Sequence, residues 1–578
     1  RGDTNHMQKR ILDHQEIEWQ FDAPDLGSVN GWLEGQSSAF GLAVVPVETK
    51  QLFDTYYDTE DWRFYRAGYA LRVRRDGRRF EATMKSLAPP EDGGLKRRRE
   101  ISEPLRSGGL KPLTTARGPV GERLRLLTGM RDLRRLFEVR TRRKAFELRP
   151  EAEGPDSLSG EVVVGPEGDT RRKEDHSVSA EEVTVDALGS IHRSDGEGAV
   201  LAEISLDESQ FSGKGERASL NRIEVEVADE NAGSYGGVAG FVDGMRASLG
   251  LRPTETSKFG AGLAVAGLSP TVAPGFGSTE VDGSMSAGEV AFAILRRHFA
   301  TMLAHEPAVR LGEDPEELHD MRVAIRHLRA ALKLYKEALP KRAERYERDL
   351  RFFAGALGDA RDLDVHLERL AREAPRNGEV LNEVFVALEE RRTEAWRHML
   401  ETLDSNRYER FVASFSGTLR RGRSPSPPTG PIFEVAPDLV RRRYKKVRKD
   451  ARTLTGDSPP EDFHDLRKKG KRLRYALEPL QGLYGKPAEG MAELLKAVQD
   501  DLGDHQDLIV AAALIRELGL SGDLSPRAAF LLGTMAERYN REAAELRANF
   551  LGSKELRALK KGKPWKRLRK ALEKKAGG

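Results

Sequence analysis

Two periods of hydrophobic alternation divide the chain. From residue 11 to about 260, apolar positions recur every second residue in short runs: "EIEWQF", "ALRVRR", "FEATMKSL", "RRREIS", "FEVRTRRKAFEL", "LAEISLD" and "NRIEVEV". A period of two puts one set of side chains on each face of a strand, so this half predicts short β-strands. Helical spacing interrupts it near 120–136 ("GERLRLLTGMRDLRRL") and near 236–250 ("GGVAGFVDGMRASLG"). The stretch about 151–200 is polar and reads as an insertion with one strand-like piece, "EEVTVDAL". A Pro/Gly/Ser-rich stretch follows the strands, and from 288 onward the spacing is helical nearly throughout. The pattern predicts a strand domain over 7–265, a linker over 266–287 and a helical domain over 288–578.

The helical half repeats itself. "HDMRVAIRHLRAALKLY" begins at His319 and "HDLRKKGKRLRYALEPL" at His464, an offset of 145. "LGDARDLDV" at Leu357 and "LGDHQDLIV" at Leu502 share that offset, as do Arg296 and Arg297 with Arg441 and Arg442. Two matches at one offset predict a tandem duplication, about 288–420 and 432–578, separated by "RGRSPSPPTGP". Each repeat carries a basic stripe on one helix face. The stripes are His319, Arg322, Arg326 and Arg329, then His464, Arg467, Lys471 and Arg474. Like charges that close repel, and pseudo-twofold packing would bring both stripes, with the two Arg-Arg pairs, into one groove that a polyanion stabilises.

Charge sharpens this. Residues 289–578 hold 57 Lys and Arg against 45 Asp and Glu, a net +12 in a chain of +4, leaving −8 for 1–288. The basic half attracts polyanions, and its binding should be salt-sensitive. Few aromatic platforms accompany the charge; Tyr444 and Tyr475 stand almost alone. Bare phosphate therefore fits better than nucleic acid. Asp359 and Asp504 are expected to orient basic side chains or cap helices. The absence of cysteine excludes disulfides and thiolate metal sites. With no apolar run long enough to span a bilayer, the expectation is a cytoplasmic protein without a membrane partner.

The strand half mixes both signs of charge. Glu16 with Glu18, and Glu224 with Glu226, form two i, i+2 pairs that could hold Mg²⁺ or Mn²⁺ through oxygen. Arg72, Arg74, Lys85, Arg98, Arg140 and Lys258 are cations for phosphate. If these faces converge, the sheet must close into a barrel. The alternative is the solvated face of an ordinary antiparallel sheet.

"HQEIEWQF", "TYYDTEDWRFYRAGYALRVRR", "TMKSL", "GLKRRREISEPL", "AEISLDES", "IEVEV" and "SKFGAGL" resemble, in order, the motifs of the CYTH superfamily, the triphosphate tunnel metalloenzymes. The "HDxR" helices and "LGDxxD" turns resemble a CHAD domain, the conserved-histidine α-helical domain. These resemblances imply an α+β multidomain protein: a closed eight-stranded antiparallel tunnel followed by an all-α duplicated bundle. They imply metal at Glu16, Glu18, Asp207, Glu224 and Glu226, with Glu203 nearby. Arg72, Arg74, Lys85, Arg98, Arg140, Arg143 and Lys258 would hold phosphate, and Glu16, Glu18, Lys85 and Glu100 would act in catalysis. The implied activity is metal-dependent tripolyphosphate hydrolysis. The CHAD resemblance implies inorganic polyphosphate binding, with His319 and His464 as added donors, and association with polyphosphate granules. The CYTH first motif ends in lysine where this chain has Gln20, so restoring lysine is expected to raise turnover. The alternatives are a non-catalytic polyphosphate binder with a degraded tunnel, or an enzyme acting on a nucleotide or thiamine triphosphate.

Overall fold

The computed structural model describes residues 13–35, 38–39, 41–87, 92–151, 184–185, 191–192, 199–213, 216–228, 235–271, 273–422 and 430–577. The chain divides into two compact units, Arg1–Pro270 and Thr271–Gly578.

In the first unit eight strands close on themselves. They are β1 (Asp13–Asp22), β2 (Lys50–Thr59), β3 (Tyr69–Asp76), β4 (Arg79–Ser86), β5 (Leu95–Leu105), β6 (Leu133–Pro150), β7 (Ala202–Gly213) and β8 (Glu216–Val227). The order around the barrel is β1-β5-β4-β3-β2-β6-β7-β8, and β8 pairs back with β1; every pairing is antiparallel. The usual alternation is inverted. Ile17, Trp19 and Phe21 of β1 point outward and are buried beneath Val238, Phe241, Val242 and Met245 of the helix Tyr235–Leu249. The polar set, Glu16, Glu18 and Gln20, points into the barrel.

At one end the inner face turns apolar. Tyr56, Phe137, Val139 and Phe211 pack against Phe259 and Leu263 of the helix Lys258–Val265. A Cβ at Gly262 would stand 2.0 Å from the Phe137 ring, so only glycine lets this helix come so close. The helix predicted over 120–136 ends at Thr128: Gly129 leaves helical geometry with φ 53, and β6 begins at Leu133. The polar insertion lies outside the described residues, except that Thr184–Val185 pairs antiparallel with Ile191–His192.

The second unit is helical. Its main helices are α1 (Ala287–Leu311), α2 (Pro315–Leu334), α3 (Ala343–Leu403), α4 (Asn406–Arg421), α5 (Ile432–Thr453), α6 (Pro460–Leu477), α7 (Lys486–Leu520), α8 (Pro526–Leu551), α9 (Lys554–Lys561) and α10 (Lys563–Ala576). The offset of 145 carries the starts of α1 and α2 onto those of α5 and α6. Although α3 is helical from end to end, it turns back on itself. Arg392 Nε reaches Asp364 Oδ1 at 2.6 Å, whereas a straight helix would hold residues so spaced ~42 Å apart. Their midpoint, residue 378, maps by the same offset onto 523, in the break between α7 and α8. Both repeats thus contain a helical hairpin, one continuous and one interrupted. The stretch read as a linker is packed in its second part. Phe276 is 4% exposed against Phe299, Val281 and Met285 lie on the helical core, and Ser286 bridges to Pro431. Gly, Ser and Pro are scattered through it and mask those apolar positions in the sequence.

Candidate functional site

Strand register decides what meets inside the barrel. Glu18 stands opposite Glu226 and Gln20 opposite Glu224 across β1 and β8. Glu16 faces Arg98, and Glu18 faces Lys96, across β1 and β5. Lys85 faces Glu100 across β4 and β5. The inner wall is therefore charged on nearly every strand, and cations and carboxylates interlock. The Lys85 ammonium contacts Glu16, and lies 3.3 Å from Glu18 and 3.8 Å from Glu100. Arg98 lies 3.4 Å from Glu18. Arg72 lies 3.9 Å from Glu100.

The opposite wall mirrors this. Arg143 donates two hydrogen bonds to Asp207, at 2.7 and 2.6 Å, and a third to Glu224 at 2.7 Å. Lys258 contacts Asp207 and lies 3.0 Å from Glu224. Glu203 is peripheral, 4.0 Å from Arg143 and half exposed. Asp54, 1% exposed, accepts two hydrogen bonds from Arg74 at 2.8 Å each and lies 3.9 Å from Arg72.

The carboxylates split into two electrostatic classes. Burial works to raise Asp207 and Glu224, but Lys258 and Arg143 hold both below the ordinary carboxylate range. Burial prevails at the other pole. Glu16 is pushed up to about 8, although Lys85 opposes it, and Glu18 and Glu226 add to the rise. Glu226 is water-accessible within the tunnel, yet surrounding protein still holds it up at about 7. Glu16, Glu18 and Glu100 share the Lys85 ammonium; Arg98 adds a cation beside Glu18 and Arg72 one beside Glu100, while Glu16 has Lys85 alone. Glu16 Oε2 and Glu18 Oε1 are buried and lack a well-formed hydrogen bond, facing only the Lys85 ammonium and, for Glu18, Arg98 at 3.4 Å. Hard oxygen donors suit a divalent cation. Among the described residues, no three acidic or imidazole groups stand close enough together to hold a metal ion; the Lys85 ammonium lies between Glu16 and Glu18.

Two residues of this site were not singled out in the sequence, and one that was lies elsewhere. Asp54 is the anchor for the arginines of β3. Lys96, 2% exposed, donates to Gln20 Oε1 at 2.6 Å, while Gln20 Nε2 donates to Glu224 at 3.2 Å. Lys96 precedes Arg98 by two and so shares its face, which is the signal that could have found it. Arg140 is exposed on the outer face, its guanidinium 5.7 Å from the Phe53 ring. It differs from Arg143 by an odd number of residues, so the pleat sends the two to opposite faces.

In the helical unit, α2 and α6 bring the two basic stripes together at their middle. Burial lowers Lys471 to about 8, with Arg467, Arg326 and Arg474 adding to the effect and Asp507 opposing it. Arg326 belongs to the other repeat and is its equivalent by the 145 offset. The Nε atoms of Arg326 and Arg474 and Nδ1 of His464 are buried without partners. His319 and His464 are held below the ordinary imidazole range, first by burial and then by neighbouring cations, and so offer neutral donors. Arg322 donates to Gly358 O at 3.3 Å and Asp362 at 3.0 Å. Its equivalent, Arg467, donates to Gln499 O at 3.4 Å and runs beside Gly503, where a Cβ would stand 3.1 Å from its guanidinium. The glycine of the second "LGD" thus clears a path for the stripe arginine, whereas a Cβ at Gly358 would meet Arg322 at an ordinary 3.8 Å. Arg329 pairs with Glu347 at 3.3 Å and Arg474 with Glu478 at 3.5 Å.

Other expectations are corrected. Asp359 and Asp504 are exposed in mid-helix, cap nothing and, among the described residues, make no hydrogen bond or ion pair with the stripes; Asp362 holds the arginine instead. Arg296 and Arg297 turn away to the carbonyls of Leu419, Ser278 and Thr279. Arg441 pairs with Asp438 at 2.5 Å, and Arg442 is exposed with Asp438 at 4.0 Å. The Tyr475 ring is occupied by His327 at 4.2 Å, and His327 stacks in turn on His298 at 4.4 Å. Burial first, and then nearby cations, lower His327 to about 4 and His298 to about 3.

Comparison with known families agrees with this geometry. The CYTH domain model matches residues 36–234, and the CHAD domain model matches 293–516. The chain carries a CYTH domain followed by a CHAD domain. CYTH domains are triphosphate tunnel enzymes that generally use divalent metals. Two uncharacterized proteins of Mycobacterium tuberculosis, MT2285 of strain CDC 1551 and Rv2226 of strain H37Rv, are each 27% identical over 302 residues, 49% of this chain and 56% of theirs. The chain thus spans about half the length of the curated relatives it matches. The CHAD domain from the plant Ricinus communis is 28% identical with a TM-score of 0.42, over 49% of this chain and 96% of that one. HpAC1 from Hippeastrum, an adenylyl cyclase candidate described as having a dominant triphosphatase activity, is 15% identical with a TM-score of 0.26, over 44% of this chain and 97% of that one. No helix among the described residues is long and apolar enough to cross a membrane.

Proposed function

We propose that the CYTH tunnel hydrolyses a short inorganic triphosphate with a divalent metal, Mg²⁺ or Mn²⁺, and that the CHAD groove holds inorganic polyphosphate. The observation that carries the first half is one pole of the tunnel: Glu16 and Glu18 share the Lys85 ammonium, Glu226 stands opposite Glu18, and burial raises both Glu16 and Glu226. Glu16, Glu18 and Glu226 would hold the ion, which supplies Lewis-acid stabilisation of the phosphoryl oxygens when bound. Lys85, released from the carboxylates, then turns to phosphate. Arg72, Arg74, Arg98, Arg143 and Lys258 bind along the chain and spread its charge, which is most of what phosphoryl transfer asks of a protein. Asp54, Asp207 and Glu224 keep those cations aimed while the tunnel is empty. The test is phosphate release from tripolyphosphate, ATP and thiamine triphosphate, each with Mg²⁺ and with Mn²⁺. Turnover is expected with tripolyphosphate and either ion, and none with chelator; no turnover of any substrate would leave a binding protein.

Gln20 does not make the tunnel deficient in charge. Lys96 brings its ammonium to the same place from the neighbouring strand, lowered to about 8 by burial and then by Arg98. A lysine at 20 would put two ammoniums in contact. Gln20→Lys is therefore expected to lower turnover rather than raise it. Lys96→Gln is expected to cost ~10²–10³ in rate, the usual loss for one charge-stabilising group. The double variant Gln20→Lys with Lys96→Gln, which moves the charge across, should recover much of it. Steady-state rates of the three variants decide this.

A further inference from the structure

The Arg441 side chain, left over from the groove, lines a different feature: an open cleft of about 650 Å³ between α5 and α10. The α5 sequence "RRRYKKVRKDART" places Arg441, Lys445, Arg448 and Arg452 four, three and four residues apart, hence on one face. Lys449 and Arg569 of α10 complete the basic lining. Arg441 has Asp438, and Arg569 has Glu573 at 3.5 Å. Among the described residues, Lys445, Arg448, Lys449 and Arg452 have no carboxylate within ion-pair distance. A basic helix on a convex surface simply solvates its charges. Here they are gathered along a concavity, where they repel with no protein counter-charge.

The floor of the cleft is built. Tyr444 and Trp565 stack at 4.1 Å with their planes 11° apart. Leu568 and Leu572 of α10 are fully buried, which fixes that helix in place. The turn before α10 presses on Tyr444: a Cβ at Gly562, whose φ is +71, would stand 2.8 Å from the tyrosine oxygen. Tyr444 is 2% exposed, and its hydroxyl and the Arg448 Nε are buried without partners.

We infer that this cleft is a second anion site, for a linear chain of linked phosphates, separate from the groove between α2 and α6. From Arg441 to Arg452 the helix rises ~16 Å, room for several phosphates in a row rather than one. A nucleobase is poorly served, because the Trp565 face nearer the floor is covered by Tyr444 and the lining offers Glu573 as its single carboxylate. The site stands whether or not the tunnel is catalytic, since it shares no residue with it.

Trp565 makes the site readable in the intact chain. Tripolyphosphate is titrated with chelator present, and the tryptophan emission of the wild type is compared with that of Trp565→Phe; the difference isolates this one of five tryptophans. A saturable change is expected. Its midpoint should rise steeply with salt, and should rise at least ~10-fold when Lys445, Arg448 and Arg452 are changed to serine. Arg326→Ser with Lys471→Ser in the groove should leave it unmoved. ATP should match tripolyphosphate; markedly tighter ATP binding would mean that a base is read and would overturn the proposal. So would an equal response to sulfate at the same ionic strength, or no response from Trp565. If Trp565→Phe misfolds by circular dichroism, calorimetry on the triple serine variant reads the same site. Loss of a binding event supports it, and an unchanged isotherm rejects it.

Discussion

Glu16→Gln combined with Glu18→Gln is expected to reduce metal-dependent tripolyphosphate hydrolysis by ~10³-fold or more, with little change in fold. The choice of glutamine matters. In the metal-free protein burial holds Glu16 up at about 8 against the pull of Lys85, and an amide of the same shape is the mildest change at such a position. Glu18 is 2% exposed and shares the Lys85 ammonium at 3.3 Å; Glu16 and Glu100 remain beside that ammonium, and an amide oxygen can still accept from Lys85 and Arg98. The defect should therefore appear where the ion is required. Thermal melting with and without Mg²⁺ separates the two roles: the wild type should gain stability from the ion by mass action, and the variant should not. A variant that melted much lower than the wild type without metal would make these carboxylates structural. Retained hydrolysis would remove them from the reaction.

Arg326→Ser with Lys471→Ser is expected to weaken binding of long-chain polyphosphate by on the order of 10²-fold, two charge-assisted contacts at ~1.5 kcal/mol or more each. These two are the equivalent members of the stripes and influence each other in the fold. The salt dependence of binding should flatten by about one unit per lost contact. Exposed residues such as Arg397 and Arg541, paired on their own helices, serve as controls; equal losses from both pairs would reduce the attraction to net charge. Lysine 471 adds a pH signature. Its ammonium is lowered to about 8 by burial and by Arg467, Arg326 and Arg474. A bound polyanion favours the charged form, so binding takes up a proton above that pH and none well below it. Affinity should be fully present near pH 7 and decline toward pH 9, and Lys471→Arg should remove the decline. Fluorescence anisotropy of labelled polyphosphate across pH measures both.

What could be read in the sequence was whatever has a period. Alternation revealed the strands and put Glu16 with Glu18, and Arg72 with Arg74, on shared faces. The offset of 145 revealed the duplicated helices and their stripes. Register between strands leaves no such mark, because it is set by how neighbours close around the barrel. Lys96 meets Gln20, and Asp54 meets Arg74, only through that register. Parity alone separates Arg143 from Arg140, but it does not say which of the two parities is inside. In the helical unit the error had another source. Arg296 and Arg297 share the duplication with Arg441 and Arg442, yet adjacent helical residues point ~100° apart and away from the stripes. A repeat offset establishes equivalence between copies; it does not establish that equivalent residues meet.

The inverted barrel changes where this protein can be divided. A wall with charge inside and Ile17, Trp19, Phe21, Ile223 and Val225 outside is not a self-standing cylinder. It is the inner lining of a layered body, and the helix Tyr235–Leu249 is its roof. Similarity to the CYTH domain ends at 234, one residue before that roof begins, and Lys258 lies further on. A chain cut after 234 would lose Lys258 and present a broad greasy exterior to water, the kind of surface that drives self-association. The unit that can be expressed, crystallised or grafted onto another chain therefore extends through the helix Lys258–Val265, the same limit that the "SKFGAGL" motif marks in the sequence.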